Sequence, residues 1–202
     1  MVLSAAEGRV LGCLIEKQMT TPEYYPMTIN ALVDACNQRT NRDPVVLYDD
    51  AIVEQALADL NERGGLAKFT RSAGARSLKY VHKAPDVLQV DDQQLALLAV
   101  LLLRGPQTPA ELRTRTDRYV EFGDVAQVEE VLAGLIDREV PLVARVERAP
   151  GRREDRFRTL LIDPGDHPAA RPGDDTAARI HRLEEQIARI EEALGLEPPG
   201  HD

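Results

Sequence analysis

Two cysteines and four histidines are the side chains best suited to nucleophilic or metal chemistry, and their spacing supports neither. His82, His167, His181 and His201 are scattered, and none stands at ligand spacing from a cysteine or a second histidine. Cys13 follows Val10 by three residues, and Cys36 follows Val33 by three. Both read as small hydrophobes buried on helix faces. Gly12 and the pair Gly64-Gly65 lack the Lys and Ser/Thr that a phosphate-cradling loop requires. No catalytic residue, no metal and no cofactor is expected, and the chain reads as a non-enzyme.

Binding chemistry is better represented. Asn37, Gln38, Arg39, Thr40, Asn41 and Arg42 crowd many donors into a stretch with no apolar payload. Such a loop could form an interaction surface. The same residues could equally cap the preceding helix and brace the loop, with Arg39 or Arg42 paired to Asp43 or Asp49. Two other stretches are basic. One holds Lys68, Arg71, Arg76 and Lys79; the other holds Arg145, Arg148, Arg152, Arg153, Arg156 and Arg158, tempered by Glu147, Glu154 and Asp155. These residues could contact phosphates, or they could keep exposed hairpins soluble and blunt their edges.

The elements that must position these groups form an internal repeat. Asp49, Val53, Leu57, Leu60 and Arg63 align at constant offset with Asp124, Val128, Leu132, Leu135 and Arg138, apolar residues at helical spacing behind an acidic cap. Two helical patterns precede each of these segments. Before the first, one opens on the capping box Ser4/Glu7 and another on Thr28; before the second, one opens on Asp91 and another on Thr108-Pro109-Ala110-Glu111. Each third helix leads into an apparent hairpin, Leu66–Phe69 with Leu78–Val81, and Leu142–Val146 with Phe157–Leu160.

Three helices and a two-stranded wing make the winged-helix arrangement. The expectation is therefore a mostly α chain with small β-hairpin wings (α+β): two tandem winged-helix domains over 1–86 and 87–163. A Pro/Gly linker should cover 164–173 and a C-terminal amphipathic helix 174–196. In that helix Ile180, Leu183, Ile187, Ile190 and Leu194 form a short heptad seam, a candidate coiled coil for a homodimer.

Charge and composition narrow the partners. Twenty-five basic against thirty-four acidic side chains leave −9, and aromatics are 4% with no Trp, which removes most stacking platforms for bases. The third helix of the first copy carries Asp49, Asp50, Glu54, Asp59 and Glu62 against Arg63; that of the second carries Asp124, Glu129, Glu130 and Asp137 against Arg138. Carboxylates facing phosphates are repelled, so major-groove reading is disfavoured. The start of the chain has neither a basic leader nor a long apolar core. The run Leu95–Leu103 is far shorter than the roughly 20 residues that cross a bilayer, so a cytoplasmic location without membrane contact is expected.

The stretches Leu3-Ser4 through Glu16-Lys17, Thr21-Pro22-Glu23-Tyr24-Tyr25-Pro26-Met27-Thr28 and Cys36-Asn37-Gln38-Arg39-Thr40-Asn41-Arg42-Asp43-Pro44-Val45 resemble the YceH family of bacterial proteins. The resemblance runs from about residue 3 to about residue 162. It implies a tandem winged-helix fold in the bacterial cytoplasm and no particular reaction. Function is therefore expected to rest on binding an unidentified protein partner, as an adaptor or scaffold. The competing expectation is a DNA-binding regulator that grips the backbone through its wings and the loop Asn37–Arg42.

Overall fold

The structure is a computed structural model that describes residues 1–70, 77–146 and 154–163. The expected linker and C-terminal helix, with Ile180, Leu183, Ile187, Ile190 and Leu194, lie outside the described residues, as do Arg71, Arg76, Arg148, Arg152 and Arg153. The described chain is mostly helical with two antiparallel hairpins, an α+β protein.

In order it forms α1 (Ala5–Thr20), a 3-10 turn (Pro22–Tyr24), α2 (Ile29–Cys36), α3 (Asp50–Glu62), β1 (Ala67–Thr70) and β2 (Lys79–His82). There follow α4 (Ala84–Leu88), α5 (Asp92–Arg104), α6 (Pro109–Thr116), α7 (Val125–Ile136), β3 (Val143–Val146) and β4 (Arg156–Thr159). Local chemistry sets the boundaries. Capping boxes start α1 (Ser4/Glu7), α5 (Asp91/Gln94) and α6 (Thr108/Glu111), while Thr28, Asp49 and Asp124 cap α2, α3 and α7 through side-chain oxygens. The chain leaves α3 through Gly64 and Gly65 at φ of +92° and +77°, a backbone that a Cβ would strain.

The hairpins begin one residue later than the apolar pattern suggests. Leu66 sends its N–H to Leu60 O at 2.9 Å and Leu142 sends its own to Leu135 O at 3.0 Å, so both leucines close the turn after a third helix. Pairing then runs Ala67 opposite His82 and Val143 opposite Thr159. Sequence reasoning missed a third segment that joins each hairpin through an isolated bridge. Met27 exchanges two main-chain hydrogen bonds with Tyr80 (3.1 and 2.7 Å), and Gln107 does the same with Phe157 (3.0 and 2.8 Å). In both copies the residue before the cap of the second helix extends the hairpin, so the repeat holds down to individual rungs.

The two copies share one core. Every residue of α5 from Leu95 to Leu103 is buried, so this helix is apolar on all sides and packs chiefly along α1. Two glycines of α1 permit the approach. A Cβ at Gly8 would stand 2.3 Å from Ile162 Cδ1, and one at Gly12 would stand 2.9 Å from Leu103 Cγ. The end of the described chain closes the joint, with Leu3 N–H donating to Leu161 O at 2.7 Å.

Candidate functional site

The polar loop from Asn37 to Arg42 is divided between bracing and exposure. Arg42 is buried, and its guanidinium grips Glu16 of α1 through Nη1–Oε1 (3.2 Å) and Nη2–Oε2 (2.6 Å). It also donates to the carbonyls of Ala35 (3.0 Å) and Asn41 (2.8 Å). The pairing to Asp43 or Asp49 suggested by proximity in sequence is replaced by this fork to α1. Burial works to raise the Glu16 carboxyl, but the hydrogen bonds and charge of Arg42 outweigh it and hold the group below the usual carboxylate range. Removing one member of such a pair leaves a bare buried charge, at a cost of about 3–5 kcal/mol.

Asn37 turns inward as well. Its side chain donates to Tyr48 O and accepts from Tyr48 N, both at 2.7 Å. Asn41, in a left-handed conformation at φ of +62°, accepts from Arg104 of α5, and Asp43 N–H bonds Leu103 O at 2.9 Å. The loop thus clamps the first copy to the second. Only Arg39 and Thr40 of the six are fully exposed, with Gln38 half-buried, so the segment does not form one continuous recognition surface.

Beside the clamp, Cys13 and Cys36 are free and fully buried. The neighbouring Cys13 and burial together push the Cys36 thiol well up. Arg9, also buried, donates to Pro44 O (2.7 Å) and Cys36 O (3.3 Å). Of the two adjacent tyrosines, Tyr25 reaches β2 and accepts the His82 N–H at 2.7 Å, while Tyr24 is 75% exposed.

The third helices present their acids outward. Asp50, Glu54 and Glu62 on α3, and Glu129 and Glu130 on α7, are exposed. The single base that follows each helix is tied down. Arg63 pairs with Glu7 at 2.6 Å, and Arg138 donates to the carbonyls of Leu88 (2.7 Å) and Gln89 (3.0 Å).

Between each third helix and its hairpin lies a groove. The first, of about 240 Å³, is walled by Glu54, Leu57, Ala58 and Asn61 of α3 and by Lys68, Phe69 and Tyr80 of the hairpin. Phe69 is 67% exposed at its mouth. The second, of about 420 Å³, is walled by Val125, Glu129, Ala133 and Ile136 of α7 with Arg145, Glu154, Asp155 and Phe157. Glu54 and Ala58 hold the helix positions that Glu129 and Ala133 hold in the other copy.

The described basic residues of the two hairpins are mostly engaged. Arg145 pairs with Asp155 at 2.9 Å and lies 5.6 Å from the centre of the Phe157 ring. Arg156 pairs with Glu111 at 3.1 Å and donates to Pro106 O at 2.7 Å, and Arg158 donates to Thr159 O at 3.4 Å. Lys68 is exposed and Lys79 half-buried. Among the described residues, no group of three or more His, Cys, Asp or Glu could hold a metal ion, and no helix is long and apolar enough to cross a membrane.

The family model described as a protein of unknown function, DUF480, matches residues 3–152. The chain is 46% identical to a UPF0502 protein of Geobacter metallireducens over 199 residues, covering 96% of this chain and 89% of that one. It is 48% identical to one of Geotalea uraniireducens (96% and 89% covered) and 41% identical to one of Shewanella amazonensis (96% of each).

Proposed function

This chain belongs to the DUF480 family, whose UPF0502 members are the YceH proteins, and from that premise we propose a non-enzymatic adaptor built from two tandem winged-helix units. Its work is to hold segments of another protein. Two equivalent grooves, each walled by a third helix and a hairpin and each carrying a glutamate at the same helix position, carry this reading. Their apolar walls and the glutamate that each carries on its helix side suit a segment that offers an apolar side chain flanked by Lys or Arg. Residues 174–196 are the proposed means of pairing two such copies.

The duplex-binding alternative has less support, because the helices that would enter a major groove expose carboxylates while Arg63 and Arg138 are spent on the protein itself. The test is capture from the native host with the full chain and with a Glu54→Arg/Glu129→Arg variant. One protein should be retained in stoichiometric amount by the first and lost by the second. In parallel, fluorescence anisotropy with duplex DNA over a salt series should show no saturable binding. Submicromolar binding with a steep salt slope, abolished by Arg152→Glu/Arg153→Glu, would replace the adaptor with a DNA regulator.

A further inference from the structure

A second kind of site lies away from the grooves, where the two copies meet. A cleft of about 150 Å³ opens between the clamp loop, α5 and α6, and three arginines line it: Arg104 at the end of α5, Arg115 on α6 and Arg118 just after it. Thr114, Tyr119 and Asn41 complete the polar wall. Arginine carries a fork of donors suited to the oxygens of a tetrahedral anion.

Among the described residues, the two acids beside this cleft are shared with other cations. Glu16 reaches it, but its carboxylate is taken by the fork from Arg42, with Tyr119 Oη donating at 3.1 Å. Glu111 stands 3.7 Å from Arg115, but it lies closer to Arg156 (3.1 Å) and accepts the Thr108 N–H (2.9 Å). Arg118 makes neither a hydrogen bond nor an ion pair among the described residues, and its side chain is exposed. Burial, followed by the like charge of Arg115, pulls the Arg104 guanidinium below the usual arginine range. A protein of net charge −9 thus gathers three arginines at its central joint.

We propose that this cleft binds a phosphate-class anion, with Arg104, Arg115 and Arg118 as its guanidinium ligands. An anion seated there offsets the like charges of Arg104 and Arg115 and fastens the C-terminal end of α6 to α5 and the clamp loop. The inference is independent of the adaptor reading, since the grooves lie elsewhere.

Calorimetric titration of the full chain with inorganic phosphate, pyrophosphate and a short DNA duplex tests it and separates a free anion from a backbone phosphodiester. Saturable pyrophosphate binding is expected, weakening with added salt and tighter than that of phosphate. Arg118→Ala and Arg115→Ala should each weaken it by roughly tenfold or more, Arg118→Lys less, and Lys83→Ala, remote from the cleft, not at all. Binding of the duplex alone, with the same dependence on Arg118, would assign the phosphate to a nucleic-acid backbone. Arg118 bonds no side chain among the described residues, so unchanged circular dichroism of Arg118→Ala keeps the result interpretable. No binding by any of the three probes, or binding that Arg118→Ala leaves intact, overturns the proposal.

Discussion

His82 shows how a single buried side chain can set the acid limit of the fold. Its ring is 4% exposed; Nδ1 accepts the Ala84 N–H at 3.3 Å, and the ring meets Tyr25 edge-on at 6.1 Å. Burial, with the charge of Lys83 added, takes the imidazole from 6.5 down to about 4. The folded state therefore binds this proton less readily than the unfolded chain. Above pH 6.5 both states are neutral and the group contributes nothing to pH dependence. Between 6.5 and about 4 the unfolded chain is protonated first, and stability falls by about 3 kcal/mol as the pH drops. Urea unfolding at a series of pH values should show this slope for the native chain. A His82→Gln variant should lose one proton's worth of it; equal slopes in the two would show that the ring titrates normally. The ring contact and the hydroxyl that accepts the His82 N–H both come from Tyr25, 57 residues away, which no local pattern in the sequence announces. The partner of Arg42 was hidden for the same reason, since Glu16 lies 26 residues upstream and no periodicity connects a donor in a loop to an acid on a helix.

Elements were more legible than contacts. Caps and apolar spacing are local signals, and Ser4, Thr28, Asp49, Asp91, Thr108 and Asp124 all cap the helices they were expected to open. The short α4 and the rungs at Met27 and Gln107 were not read, because one pair of main-chain hydrogen bonds leaves no pattern in side chains. Gly12, which lacks the partners of a phosphate loop, lets α1 approach α5. That role separates it from Gly134 on α7, where a Cβ would meet nothing nearer than Gln94 Nε2 at 3.7 Å. Gly134→Ala should stabilise the protein by up to about 1 kcal/mol through helix propensity alone. Gly12→Val should destabilise it by about 1–3 kcal/mol, because Leu103 and Leu102 must be pushed aside. Equilibrium unfolding of both variants checks the pair, and equal signs would mean that the joint has slack.

At the scale of the molecule, the charge and the core tell one story. Acidic third helices face outward on both copies, while the apolar α5 and the clamp of Glu16, Arg42 and Arg104 occupy the seam between them. The sequence pattern divides the chain at residue 86 into two units of about 80 residues, a size at which one core alone is marginal. The run Leu95–Leu103, too short for a membrane, is the element that compensates: it is buried on the side of each copy at once. Splitting the chain at that division would bare the Gly8 and Gly12 face of α1 on one fragment and α5 on the other. The described body should therefore unfold in one transition, with far-ultraviolet dichroism and tyrosine signals coincident across a urea titration. A fragment of residues 1–86 should be largely unfolded by itself. Two resolved transitions, or a fragment that folds cooperatively alone, would mean that each copy stands on its own core and that the α1–α5 seam is a docking contact between finished units.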